Sequence, residues 1–276
     1  MMNNSYTHTL FIYVALPCEA KHIVEYFKLK KQVTVQPFAV YLNKHICLTV
    51  TGLGKSAMAA AVGYTQALFC AVNPAVLVNF GVAGHQFFDL GDLFLMTKIT
   101  DFESGRHYYP SSIFSLPCAT ASIQTVSTPV LEYDSVALCD MEASAFYESA
   151  IRFVSSEFIF CLKVVSDNQY STIDNVQSKQ VIEWVAQHTE IFVALSNLAI
   201  RQAELKKVGP NFVLMTQLLE KYHFTVNESN QLKAFIEKWD VLTDQKLLFI
   251  DDMTPANSKQ ILGWMESKVR AVDYYL

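Results

Sequence analysis

Three short, almost wholly apolar runs constrain this chain more than any other feature: Leu10–Ala15, Ala75–Phe80 and Phe158–Val165. Each is too short for an ordinary helix and is bounded by turn residues. An unbroken apolar run of this length suits a strand covered on both faces, as in the parallel sheets of α/β proteins. The second run passes straight into Gly81-Val-Ala-Gly84, and glycine lets backbone turn sharply and close on a small ligand. Thr51-Gly-Leu-Gly-Lys55, Asp140-Met-Glu-Ala143 and Val165-Ser-Asp-Asn168 likewise put glycine or polar groups at strand ends. Open α/β sheets bind their ligands at such ends.

The order of elements supports this class. Pro17 ends the first strand, and Glu19 to Tyr26 has helical spacing. Val33–Tyr41 and Ile46–Thr51 read as a strand pair turning at Asn43-Lys44. Gly52 and Gly54 then lead into an alanine-rich helix, Lys55–Ala71, stopped by Pro74 before Ala75–Phe80. Strand, helix, strand in this order implies a parallel pair. Further strands are expected at Leu93–Ile99, Thr120–Val126, Val136–Cys139 and Phe158–Val165, with helices at Glu142–Phe153 and Lys179–Gln202. The fold class is thus layered α/β with a central mixed sheet over residues 1–207, followed by a helical extension over 208–276. In the extension, Gly209-Pro210 marks a break, and helices are expected at Phe212–His223, Glu228–Val241 and Ala256–Ala271. Asn227 suits the N-cap of the second, and Thr254-Pro255 the start of the third.

Composition removes several function classes. Of 276 residues, 51% are hydrophobic and 17% charged, so the chain buries a core. A net charge of -5 argues against nucleic-acid binding, which needs basic surface. The extension, with seven Lys/Arg against nine Asp/Glu, offers no basic face either. No apolar run reaches the length of a membrane span: Ile191–Ile200 is interrupted by Ser196 and Asn197. The start of the chain, with Asn3, Asn4 and His8 ahead of Leu10, lacks the basic region and cleavage site of a secretory signal. The cysteines at positions 18, 47, 70, 118, 139 and 161 have no zinc-type spacing and read as reduced thiols of a cytoplasmic protein. No metal and no cofactor are expected.

Taken together, the motifs resemble the nucleoside phosphorylase and nucleosidase superfamily, above all its methylthioadenosine/S-adenosylhomocysteine nucleosidase branch. Six cues over roughly residues 10–203 carry the resemblance: Glu19 after the first strand, Gly52-Leu-Gly-Lys55, Asn79 to Gly84, Gly91-Asp92, Met141-Glu142-Ala143 and Ser166-Asp167. It implies a three-layer phosphorylase/hydrolase-like fold and cleavage of the N-glycosidic bond of a purine nucleoside, with or without a 5′ modification. In that setting Asp167 protonates the departing base as general acid, and Glu19 orients the attacking water as base. Glu142 accepts hydrogen bonds from ribose hydroxyls, Met141 packs on the ribose face, and Gly81, Val82, Ala83 and Gly84 surround the reacting centre. Leu53, Ser166, Lys163 and Tyr133 complete the substrate set, Tyr133 as a ring stacked on the base. The resemblance also implies a homodimer in which one subunit helps close the other's pocket.

Taken singly, these residues have plainer readings. Glu19 and Glu142 suit the first turn of a helix, and Asp167 suits a strand-end turn. Lys55 lacks the spacer of a P-loop and reads as a helix-start or surface lysine. Arg106-His107 reads as a solvated loop pair, or as a loop reaching a neighbouring subunit. Three features depart from the superfamily. Val82 stands where serine or threonine is usual, Lys163 stands where the nucleosidases carry arginine, and the stretch Ser127–Tyr133 is short. Three functions therefore follow for the chain. The first is hydrolysis by water. The runner-up is phosphorolysis, which needs cationic or hydroxyl donors around phosphate. The third is a catalytically weak nucleoside-binding module whose helical tail contacts a partner protein.

Overall fold

The computed structural model describes residues 8–69, 75–130, 136–205, 211–249 and 255–273. The chain divides into two compact units, Met1–Leu205 and Lys206–Leu276.

The first unit is built on a mixed sheet. Its fully buried strands are β1 (Leu10–Val14) and β10 (Ile159–Asp167), and β5 (Val76–Gly84) is buried at all but one position. The remaining strands are β2 (Lys30–Lys31), β3 (Ala39–Leu42), β4 (Ile46–Val50), β6 (Leu93–Asp101), β7 (His107–Tyr108), β8 (Ala119–Thr125) and β9 (Leu138–Asp140). β1 runs parallel to both β4 and β5, and β5 runs parallel to β10. Pairings β5–β10, β10–β6, β6–β8, β8–β9 and β9–β5 close a ring of strands. From that ring β1, β4, β3 and β2 extend as an open sheet. The expected parallel relation of β4 and β5 holds, but the two are not neighbours, because β1 lies between them.

Helices lie in two groups against this sheet. In one, α2 (Lys55–Phe69) packs with α3 (Ala143–Ala150); in the other, α1 (Pro17–Tyr26) packs with α4 (Ser178–Gln187). α5 (Thr189–Leu205) rests on β1 and β5, with Phe192 edge-on to Phe80 at 4.9 Å between ring centres. Each such buried ring contributes about 1.5–3 kcal/mol of apolar transfer energy. The expected single helix over Lys179–Gln202 is two helices broken at His188. There the imidazole Nε2 bonds the Gly91 carbonyl at 2.8 Å, and the Thr189 hydroxyl donates to the Ala186 carbonyl. Strand β3 starts only at Ala39, beyond Pro37, which has no N–H to give a ladder. Cys18, Cys47, Cys118, Cys139 and Cys161 are free thiols, and burial pushes Cys47 up to about 12. Cys70 and Pro74 lie outside the described residues.

The second unit has its own core. α6 (Asn211–Lys221), α7 (Val226–Leu242) and α8 (Ser258–Asp273) bury Met215, Leu232, Ile236, Trp239, Ile261 and Met265. Buried Asn211 ties this unit together: its amide donates to Asp240 and to the Lys246 carbonyl, and its oxygen accepts from Leu248 N–H. The cap of α7 is Thr225 and not Asn227. Thr225 Oγ1 accepts from Glu228 N–H while the Glu228 carboxylate accepts from Thr225 N–H, a reciprocal pair that Asn227 has no partner to form. Asn257 serves the start of α8 by accepting from Gln260 N–H; Gly209, Pro210 and Thr254 lie outside the described residues.

Candidate active site

The C-terminal ends of the buried strands converge on one cavity of about 250 Å³. The segment after β1 contributes Ala15, Leu16 and, from the first turn of α1, Glu19. The end of β5 contributes Val82, Ala83 and Gly84. Asp140 ends β9 and is followed by Met141 and Glu142, while β10 ends in Ser166 and Asp167. Leu53 comes from the turn before α2, and Val126, Pro129, Val130, Cys139 and Ile173 supply apolar wall. Four acidic residues thus line a cavity whose remaining lining is largely apolar, the Asp140 carboxylate itself being fully buried.

Local hydrogen bonding fixes each acid. Glu19 accepts from Leu16 N–H at 2.8 Å and Val82 N–H at 3.0 Å, so one side chain bridges the start of α1 and the end of β5. Glu142 accepts from Gly54 N–H at 2.6 Å, in a turn where the positive φ of Gly54 favours glycine. Ser166 Oγ donates to Asp167 Oδ1 at 2.5 Å, and the Asp167 carbonyl accepts from His85 N–H. Asp140 is the best supplied. Its Oδ1 accepts from the Thr125 hydroxyl, and its Oδ2 accepts from Ala143 N–H at 2.8 Å and pairs with Lys163 Nζ at 2.7 Å.

The lysine pair sets the electrostatics. Lys163 and Asp140 are both buried, and a buried charge is retained only when paired. Burial works against the Lys163 ammonium, but Asp140 and Glu142 outweigh it and raise its pKa. Burial also raises Glu19, against the opposing Leu16 N–H, Lys163 charge and Val82 N–H. For Glu142 burial, reinforced by Asp140 and opposed by Lys163, lifts the carboxyl to about 7. Glu19 and Glu142 thus hold a proton more readily than exposed carboxyls do. Gly81 sits where this cluster is tightest: a Cβ there would lie 3.1 Å from Glu19 Oε1 and 3.2 Å from Lys163 Nζ. Among the described residues no group of three or more His, Cys, Asp or Glu is arranged to hold a metal.

No protein-family profile matches the sequence, and no curated protein matches it. Solved structures do match in shape. The Streptococcus pneumoniae MTA/SAH nucleosidase in complex with 8-aminoadenine is 20% identical with a TM-score of 0.56, covering 68% of this chain and 98% of that one. The Arabidopsis thaliana 5′-methylthioadenosine nucleosidase in apo form is 17% identical with a TM-score of 0.57, covering 70% and 96%. For the Campylobacter jejuni 5′-methylthioadenosine/S-adenosyl homocysteine nucleosidase the values are 16%, 0.55, 68% and 98%. This is the nucleosidase fold.

Within the nucleosidase fold, nine of the residues expected at the site line the cavity: Glu19, Leu53, Val82, Ala83, Gly84, Met141, Glu142, Ser166 and Asp167. Gly81 lies behind the lining, against Glu19. Lys163 is not among the lining residues; it is buried and paired with Asp140. Tyr133 lies outside the described residues. Arg106 pairs with Glu148 at 2.9 Å within the same chain, and His85 is buried with its Nδ1 accepting from Phe87 and Phe88 N–H. Asp140, absent from the expected set, also lines the cavity through its residue position and holds Lys163. A lone lysine in an apolar strand requires a buried counter-charge, but the sequence alone does not say which acid supplies it.

Proposed function

We propose that this chain is a purine nucleosidase that splits the N-glycosidic bond by water attack. The observation that carries the reading is the convergence of Glu19, Glu142 and Asp167, remote in sequence, on one cavity beside the Val82–Gly84 turn. The chemistry suits that set. As the C1′–N9 bond breaks, its electron pair goes to the base, and Asp167 delivers a proton to N7. Positive charge grows on the ribose, where Glu142 accepts from the hydroxyls and the surrounding carboxyls favour a cation. Water attacks C1′ and gives its proton to Glu19, which Leu16 and Val82 N–H groups hold in place. The products are the free base and ribose or a 5′-modified ribose.

Water is favoured over phosphate on charge. Among the described lining residues none is cationic, and Lys163 is already neutralised by Asp140. A phosphate dianion entering beside Glu19, Glu142 and Asp167 would have no counter-charge.

The test is free base released from adenosine, inosine and methylthioadenosine in phosphate-free buffer. Asp167→Asn is expected to lower turnover at least about a hundredfold while nucleoside binding persists. Turnover by the variant equal to the parent removes Asp167 from the chemistry. A strict need for phosphate, with ribose 1-phosphate formed, replaces hydrolysis by phosphorolysis. No product from any of the three leaves a binding module.

A further inference from the structure

Lys55 is the first residue of α2, a position where the helix dipole disfavours a positive charge and rewards an acid. Helix stability therefore does not account for it. Its side chain instead reaches two carboxylates from one stretch of chain: Asp101 Oδ2 at 2.9 Å and Glu103 Oε2 at 2.5 Å. Both partners are held further. Asp101, at the end of β6, also accepts from the Ser144 hydroxyl at 2.8 Å and from Ser104 N–H at 2.9 Å. Glu103 accepts through its other oxygen from Ser127 N–H at 2.8 Å. Lys55, Ser104 and Ser144 outweigh burial and hold Asp101 well below the usual carboxylate range, so the network is ionic at neutral pH.

Each end of this network meets the cavity. Ser127 lies between Val126 and the wall residues Pro129 and Val130. Ser144 stands two residues after Glu142, and its N–H donates to Thr125 Oγ1, whose hydroxyl donates to Asp140. Gly54, the neighbour of Lys55, donates its N–H to Glu142. One lysine thus ties the turn that holds Glu142, the start of α3 and the loop that forms the apolar wall. We propose that Lys55 is a positioning residue that clamps the Val126–Val130 wall and the Gly54–Glu142 contact in register. Partly exposed ion pairs contribute about 0–1 kcal/mol to stability, so the consequence of the clamp is expected in geometry and not in the melting point.

The inference rests on the nucleosidase reading for its effect on substrate, and two measurements keep the two apart. Hydrogen exchange at residues 126–128 needs no substrate. Lys55→Met is expected to speed exchange there about tenfold while β10 is unchanged, and Lys55→Arg is expected to restore the parent rate. In kinetics on the nucleoside that the parent cleaves best, Lys55→Met is expected to raise KM about tenfold with kcat within threefold, again rescued by Lys55→Arg. Unchanged exchange in Lys55→Met overturns the clamp whatever the activity. Faster exchange with an unchanged KM overturns its role at the site. If the parent chain releases no base, the nucleosidase reading falls, and exchange alone decides the clamp.

Discussion

At the scale of single residues, the site depends on which acids are ionised. Burial lifts Glu142 to about 7, with Asp140 adding to the effect and Lys163 opposing it. A carboxyl raised in the folded state binds its proton more tightly there than in the unfolded chain. Its linkage therefore favours folding at acid pH and withdraws that stability as pH climbs from the ordinary carboxylate value towards about 7. Glu142→Gln, neutral throughout, is expected to match the parent's melting temperature near pH 5 and to exceed it by several degrees at pH 8. Activity should move the other way. The parent's kcat/KM is expected to rise through about pH 7 as the carboxylate forms, and the variant to lose about a hundredfold and that pH limb with it. Melting curves at the two pH values and a pH–rate profile check this. Parallel melting curves for parent and variant would mean that Glu142 titrates as an ordinary surface acid.

At the scale of elements, the junction of β9 and α3 is held by charge more than by propensity. Asp140 ends the strand, caps the helix by accepting from Ala143 N–H and neutralises Lys163 of β10 across the sheet. Asp140→Asn keeps the shape and the capping oxygen but leaves a buried ammonium unpaired. A loss of about 3–5 kcal/mol is expected in denaturant unfolding. Adding Lys163→Met, which removes the stranded charge, should recover most of it. A loss below about 1 kcal/mol for Asp140→Asn alone would show that the pair does not hold the junction. The same junction marks how far the sequence could be read. β1, β5 and β10 were legible because a strand buried on both faces leaves an unbroken apolar run. β2 and β7, two residues each, carry no such pattern and exist only through their neighbours. The break at His188 depends on the distant Gly91 carbonyl, and the insertion of β1 between β4 and β5 on pairing across the sheet. Glu19, Glu142 and Asp167 were legible as motif residues. The pairing of Lys163 with Asp140 was not legible, because it depends on β9 and β10 meeting in the fold.

For the whole molecule, the division into two units separates the site from the tail. All described residues lining the cavity belong to the first unit, and each unit has a hydrophobic core of its own. The second is small, and a core of that size contributes only a modest margin over chain entropy. Its described helices close on buried Asn211 and on a small core around Trp239, whereas the first unit buries the central strands of a mixed sheet. Two calorimetric transitions are therefore expected, the lower one accompanied by loss of part of the helical circular dichroism. Ligand linkage then assigns them. A nucleoside analogue that resists cleavage, added at about a hundred times its Kd, stabilises only the unit that binds it, by about 2.7 kcal/mol. The upper transition should rise by several degrees and the lower one should stay where it was. A single transition, or a shift in both, would mean that the helical extension and the sheet unit unfold together, so that changes in the tail reach the site.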